Sequence, residues 1–327
     1  MLELCAYLLL LAIALVLAMV KIPAAKRPWV FWLLLATTLS IVVRLSGYDT
    51  DIKVYAAQME ERSLDMYYIR EPLIWLGQRW AYDIIGDHAL VFIVTDVLLI
   101  LCVFHAFHRL GLPPYAYVSV LLYFPFVLGL QNIYRQWAAS CLLLLAISYA
   151  TDRRRIYIAP LLLSALSHNA AIIFWPCVVA LRRGNWIRTA LCAAGVMVPL
   201  ALMYGGESKS ELNEEGGLEH LYLFVLLSML TFVWWYWSRS ATSISRWRVV
   251  TALFMCIYAV FWSVLILTSV PAERSALFGM YIMFPFVVGA IESSRGLKKV
   301  YRTLLVLIGF LPLVIFPTRH FIASGVL

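Results

Sequence analysis

Long apolar runs follow one another along most of this 327-residue chain. They lie at about 2–20, 28–46, 88–108, 115–130, 135–150, 187–204, 219–238, 249–270, 275–291 and 300–317. An α-helix needs about 20 mainly apolar residues to cross the ~30 Å hydrocarbon core of a bilayer, and these runs approach that length. Because 63% of the residues are hydrophobic and only 13% are charged, against about a quarter in soluble proteins, we predict an all-α, polytopic membrane protein.

The net charge of +8 does not indicate nucleic-acid binding. The basic residues form short clusters between the apolar runs rather than one basic surface. The six cysteines lie inside or at the ends of apolar runs, and their spacing to histidines does not suit a zinc site. We therefore expect no metal, no cofactor and no nucleic-acid partner.

The apolar stretch 156–181 carries polar residues at its centre, namely Ser167, His168 and Asn169. It is either one long tilted helix or a hairpin of two short helices. Cytoplasmic loops are rich in Lys and Arg, and only the hairpin places the short basic clusters together on that side. The sequence then predicts about twelve membrane helices in a single transmembrane domain, 1–327, with both termini outside the cytoplasm. Outer loops are expected at about 47–87 and 205–219, and His168 at the floor of an outward-facing cavity.

Arginines usually lie on the cytoplasmic side of a membrane protein, but several isolated arginines lie on the predicted outer side of this chain. Arg135 and Arg274 each begin an apolar helix, where the helix dipole is already positive, so an anion is expected nearby. Either a paired carboxylate or a phosphate would supply it. Pro72 begins a stretch with apolar residues near helical spacing, which predicts a helix lying in the membrane interface with Arg70 and Glu71 at its entrance.

The predicted outer face gathers many polar residues. They are Asp49, Asp51, Arg70, Glu71, Arg135, Gln136, His168, Glu273 and Arg274. Simpler interpretations stay open: the Asp pair as solvated loop charges, Arg70 with Glu71 and Glu273 with Arg274 as local ion pairs, and His168 as a core histidine. Asp96, inside the run 88–108, has no assigned role.

Five motifs, in this order, resemble the EpsG-type branch of the Wzy-like polysaccharide polymerases. They are Asp49-x-Asp51 with Tyr55, Glu71-Pro72, Asn132-x-x-Arg135-Gln136, Ser167-His168-Asn169, and Arg274 with Tyr281 and Phe284. The resemblance covers about 30–290. It implies a metal-independent, GT-C-like glycosyltransferase at the outer face of a bacterial inner membrane, joining O-antigen or exopolysaccharide repeat units carried on undecaprenyl diphosphate. It also implies lipid, a flippase and a chain-length regulator as partners.

Candidate roles follow for the polar residues. The catalytic candidates are His168, Glu71, Asp49 and Asp51, and the substrate-binding candidates are Arg135, Arg274, Arg70, Gln136, Asn132, Tyr55, Glu273 and Asn169. We expect His168 to be buried without an adjacent carboxylate and therefore to be neutral and able to accept a proton, its tautomer fixed by Ser167 or Asn169.

Three other functions compete with polymerisation. One is a GT-C enzyme that uses a polyprenyl monophosphate sugar, because YDTD (48–51) resembles the acidic pair of such enzymes. The second is a non-enzymatic transporter of lipid-linked glycans, and the third is an acyltransferase.

Overall fold

The computed structural model describes residues 2–20, 29–47, 50–61, 69, 71–152, 155–204, 218–237, 244–266, 269–294 and 296–315. In these ranges the regular structure is α-helical, with two short 3-10 helices and no β-strand. The described part of the chain is all-α, as predicted from its long apolar runs.

The α-helices follow the predicted apolar runs closely. In chain order they are α1 (Leu2–Met19), α2 (Trp29–Leu45), α3 (Thr50–Glu60), α4 (Pro72–Ile85), α5 (His88–Arg109), α6 (Pro114–Leu122), α7 (Phe124–Gln131), α8 (Tyr134–Thr151), α9 (Ile158–Ser167), α10 (Trp175–Arg183), α11 (Trp186–Tyr204), α12 (Glu219–Tyr236), α13 (Arg246–Ile266), α14 (Ser269–Ser293) and α15 (Lys298–Ile315). Short 3-10 helices occupy Arg155–Tyr157 and Asn169–Phe174.

The run 115–130 is not the single helix that its hydropathy predicts. It forms α6 and α7, which meet at an angle of 54°. Tyr123 between them is extended, with φ −70° and ψ 126°, and Pro125 lies in the first turn of α7. A proline lacks the N–H that would continue the preceding helix, and its ring conflicts with that helix, so the chain bends here.

Several of the described helices are long and apolar enough to cross a membrane. His88–Arg109, Arg246–Leu265 and Pro271–Ser293 meet this criterion singly, and the bent pair α6–α7 meets it as one broken span. The other apolar helices of the described chain are shorter. These helices agree with an all-α membrane protein, while the number of twelve spans stays a prediction.

The helices belong to two compact units. The first unit comprises Met1–Leu145, Leu162–Asn169 and Lys299–Leu327. Within it α1 packs on α6, α2 on α5, and α3 on α4. The second comprises Ala146–Leu161 and Ala170–Lys298, in which α14 packs on α12 and α13, and α10 packs on α13.

The predicted outer loop 47–87 is largely helical. Its helix after Pro72 is confirmed as α4, which packs on α3 and ends at Gly86 in the left-handed conformation (φ 74°). Trp80 and Ile84 leave 71% and 86% of their surface exposed, whereas Trp75 is buried. This exposed apolar stripe suits a helix in the membrane interface. Most of the other predicted outer loop, residues 205–217, lies outside the described residues.

Candidate active site

The Glu71 carboxylate is the centre of a polar cluster in the first unit. Glu71 occupies the N-cap position of α4, yet its side chain does not cap that helix. The side chain is 7% exposed and points to two other segments of the chain. A buried carboxylate needs several donors to offset its lost hydration, and this one has them.

His168 is the first of these donors. Helix α9 ends at Ser167, and His168 follows it as a single non-helical residue before the 3-10 helix. Its Nδ1 lies 2.6 Å from Oε1 of Glu71, and the backbone N–H of Asn169 donates to the same oxygen at 3.1 Å. The predicted interruption at His168 is confirmed. The hairpin direction of the two arms stays a prediction.

The environment expected for His168 is wrong on two points, because its side chain is 20% exposed and not buried, and because a carboxylate lies beside its ring. A carboxylate does lie beside the ring, because Glu71 reaches it from the start of α4. The Ser167 hydroxyl donates to the Leu163 carbonyl at 2.9 Å and does not hold the ring. Glu71 therefore selects the tautomer: with Nδ1–H donated to the carboxylate, the neutral imidazole carries its lone pair on Nε2.

Arg135, in the first turn of α8, contacts the other oxygen of Glu71. Its Nη1 forms an ion pair with Oε2 of Glu71, and its Nε donates to the Tyr55 hydroxyl at 2.8 Å. Its guanidinium lies 5.0 Å from the ring centroid of Trp75. Of the two anions expected beside this helix start, the structure supplies the paired carboxylate. Hydrogen bonding and cation–π stacking fix the plane of the guanidinium.

These contacts determine the ionisation of Glu71. Burial raises its pKa, but the hydrogen bond from His168, the charges of His168 and Arg135, and the N–H of Asn169 together lower the pKa below the usual value. A carboxylate with a lowered pKa is a weak base near neutral pH. The Glu71 pKa therefore favours His168 over Glu71 as the proton acceptor.

The lowered Glu71 pKa predicts a pH effect on stability. The ionised carboxylate stabilises the fold at pH values above 4.5, the ordinary glutamate pKa, and this contribution is lost as the pH falls through the lower folded-state pKa. We expect Glu71→Gln to lower the thermal midpoint at neutral pH and to make its decline in acid shallower than in the wild type. Thermal unfolding in detergent between about pH 7 and pH 3 measures this, and parallel curves would contradict it.

The structure brings together only some of the predicted site residues, namely Tyr55, Glu71, Arg135, His168 and Asn169. Asp51 is half-buried one turn before Tyr55, Gln136 is buried beside Arg135, and Asn132 caps the end of α7. Asp49 and Arg70 lie outside the described residues. Within the described part of the chain, the arginine that pairs with Glu71 is therefore Arg135, from a distant helix.

Glu273 and Arg274 lie on α14 in the second unit. The expectation that Arg274 begins a helix is wrong, because α14 begins at Ser269. Oε1 of Glu273 accepts a hydrogen bond of 2.8 Å from the backbone N–H of Leu218, the N-cap residue of α12. Glu273 thus satisfies a helix N-terminus, which is a structural role that its position in the sequence did not indicate.

The contact of Trp75 with Arg135 was not predicted from the sequence, and neither was a second polar cluster in the first unit. In this cluster Nε and Nη2 of Arg44 lie 2.7 Å and 2.9 Å from the two oxygens of Asp96. Ser40 and Tyr134 also donate to that carboxylate, each at 2.8 Å. Oppositely charged residues inside two apolar segments were the available signal, because such charges pair when they are buried in a membrane.

A comparison with protein families decides which known proteins this chain belongs with. The sequence model of the EpsG family matches residues 29–326, nearly the whole chain. The chain belongs to the EpsG family. As a member of this family, the chain is in general terms a membrane-bound polysaccharide polymerase. The matched range includes all of Tyr55, Glu71, Arg135, His168 and Asn169. No curated protein and no solved structure is significantly similar to it.

Proposed function

We propose that this EpsG-family protein is a glycosyltransferase that polymerises oligosaccharide repeat units carried on undecaprenyl diphosphate. The reaction takes place at the outer face of a bacterial inner membrane and yields an O-antigen or exopolysaccharide. The observation that carries the proposal is the 2.6 Å contact between His168 and Glu71, beside an arginine bound to the same carboxylate. A proton acceptor and a cation for a leaving phosphate are the two groups that this reaction needs.

His168 acts on the acceptor in this mechanism. Its Nε2 takes the proton of a sugar hydroxyl on the incoming lipid-linked unit as the oxygen attacks the anomeric carbon of the donor chain. The new glycosidic C–O bond forms, and the bond from that carbon to the donor diphosphate breaks. Glu71 stabilises the imidazolium that results, as a carboxylate does beside a catalytic histidine. A base placed in this way contributes roughly 10² to 10⁴ in rate.

Arg135 acts on the donor. The electron pair of the broken bond leaves with undecaprenyl diphosphate, whose negative charge grows as the bond lengthens. A fixed guanidinium binds phosphate oxygens in a planar, bidentate geometry and stabilises that charge without reorganising. Tyr55 and Trp75 hold Arg135 in one plane for this purpose. Arg274 stays a substrate-binding residue proposed from the sequence.

The test uses purified protein in lipid nanodiscs with a choice of donors. Undecaprenyl-diphosphate oligosaccharide should give a ladder of products that differ by one repeat unit. Single-sugar addition from a polyprenyl monophosphate donor would instead favour the other GT-C reaction. Binding without any new bond would favour a transporter, and transfer of an acyl group would favour an acyltransferase.

The proposed topology makes a separate prediction. Lys53, Arg188 and Lys298 are exposed side chains in the described chain. We expect Lys53→Cys to react with a membrane-impermeant thiol reagent in intact cells, and Arg188→Cys and Lys298→Cys to react only after permeabilisation, because basic clusters face the cytoplasm. Labelling of position 188 from outside would contradict the hairpin at His168.

A further inference from the structure

We propose that the buried network of Arg44, Asp96 and Tyr134 is a positioning device for Arg135. Its effect on turnover rests on the proposed function, whereas its effect on local structure does not. Arg44 and Asp96 expose 1% and 0% of their side chains, so the ion pair lies fully inside the first unit. The proposal follows from what this pair contacts besides itself.

The network holds both sides of the turn that precedes Arg135. On one side, Nη2 of Arg44 donates to the Leu130 carbonyl at 3.0 Å, near the end of α7. On the other side, Asp96 accepts the hydroxyl of Tyr134, the first residue of α8, at 2.8 Å. Only residues 131–133 lie between these two attachment points. The direction in which α8 starts, and hence the position of Arg135, is set from both ends of this turn.

The corner between α7 and α8 is also closely packed. A Cβ placed on Gly129 would lie 2.5 Å from the Cβ of Trp137, a distance that real side chains do not adopt, so glycine is required for this approach. The ring of Trp137 lies 5.6 Å from that of Tyr134. A small displacement of Tyr134 is therefore transmitted along the first turns of α8, since well-packed interiors resist local rearrangement.

A second connection runs through an aromatic contact. The Tyr134 ring centroid lies 5.9 Å from that of Tyr55, and the Tyr55 hydroxyl accepts the Nε–H of Arg135. Tyr134 thus acts on Arg135 in two ways, through the backbone and through Tyr55, the hydrogen-bonding partner of Arg135. Its hydroxyl donates to Asp96 and not to the catalytic carboxylate, so Tyr134 is a positioning residue and not a catalytic one.

The additional hydrogen bonds of Asp96 offset the lost hydration of this buried carboxylate, and they also connect it to two different helices. Asp96 accepts hydrogen bonds from Arg44, Ser40 and Tyr134, which come from α2 and α8. Burying an ion pair is costly, and a hydrophobic pair of similar size is often as stable. The charged pair adds a set of directed hydrogen bonds that a hydrophobic pair would lack. Such bonds matter because a displacement of about 1 Å at a catalytic group can lower the rate about 10²-fold.

Tyr134→Phe tests the proposal because it keeps the ring and removes only the hydrogen bond to Asp96. Tyr117→Phe is the matched control, since Tyr117 is also a buried tyrosine of the first unit, and its ring packs on Trp32, Phe104 and Phe107. We expect Tyr134→Phe to speed amide hydrogen exchange in residues 131–137 and to lower kcat about tenfold, with KM changed less than about twofold. The control should change neither.

A double-mutant cycle distinguishes positioning from general destabilisation. If Tyr134 acts through Arg135, Tyr134→Phe should lose most of its effect on kcat in an Arg135→Lys background. Equal losses in both backgrounds, unchanged exchange in 131–137, or a Tyr134→Phe protein that no longer folds would overturn the proposal. If the wild-type protein polymerises nothing, the proposed function fails, while the exchange experiment still decides whether Tyr134 fixes this turn.

Discussion

Replacing His168 with glutamine is expected to lower kcat for polymer formation by roughly 10² to 10⁴, with little change in folding or substrate affinity. The glutamine amide can still donate a hydrogen bond to Glu71, so the contact between α4 and the end of α9 is preserved. It cannot take a proton from a sugar hydroxyl at neutral pH. The measurement is the initial rate of ladder formation by purified protein, together with binding of the lipid-linked substrate.

The control for this experiment is His108→Gln. His108 is an exposed histidine in the last turn of α5, and its replacement should leave the rate unchanged. A folded His168→Gln protein that binds substrate and polymerises at close to the wild-type rate would show that the ring only connects two segments. A folded binder that forms no polymer would support its role as the base.

Replacing Arg135 with lysine is expected to lower kcat by about 10² to 10³, the usual cost of losing one preorganised group that stabilises developing charge. Lysine keeps the positive charge and can still pair with Glu71. It lacks the planar fork that contacts Glu71 and Tyr55 together while stacking on Trp75, so it holds a leaving diphosphate in a less defined geometry. Steady-state kinetics with the diphosphate-linked donor measure the loss.

Two comparisons make the arginine experiment specific. Arg188→Lys, at an exposed position on α11, should behave as the wild type. Arg274→Lys should separately lower the rate if Arg274 binds substrate, as predicted from the sequence. Full-length polymer from Arg135→Lys would remove the assignment of Arg135 to the leaving group.

The fold was predictable from the sequence wherever a local property, the hydropathy of an apolar run, determines where a helix lies. Apolar runs predicted the helices to within a few residues at most ends, because a helix in lipid must satisfy its own backbone. The exception was 115–130, where the hydropathy is continuous but Pro125 divides the run into α6 and α7. That break has a local cause, but a proline alone does not predict it, because Pro285 lies inside the continuous helix α14.

The site was predictable only in part, because its contacts are distant in the sequence. Glu71 is 64 residues from Arg135 and 97 from His168, so composition and order could name these residues but not pair them. The expectation that His168 has no carboxylate beside it failed for this reason. Arg44 and Asp96 are 52 residues apart on different helices, and hydropathy does not determine which apolar helices pack together.

The two oxygens of Glu71 bind different partners, Oε1 the imidazole of His168 and Oε2 the guanidinium of Arg135. Proton binding by the Glu71–His168 pair and anion binding by Arg135 are therefore thermodynamically linked, and this linkage is reciprocal. An anion bound to the guanidinium offsets the positive charge that lowers the proton affinity of Glu71, so anion binding should be accompanied by proton uptake. By the same free energy, its affinity should rise as the pH falls. Titration calorimetry of a diphosphate lipid in buffers with different ionisation enthalpies would measure the number of protons taken up.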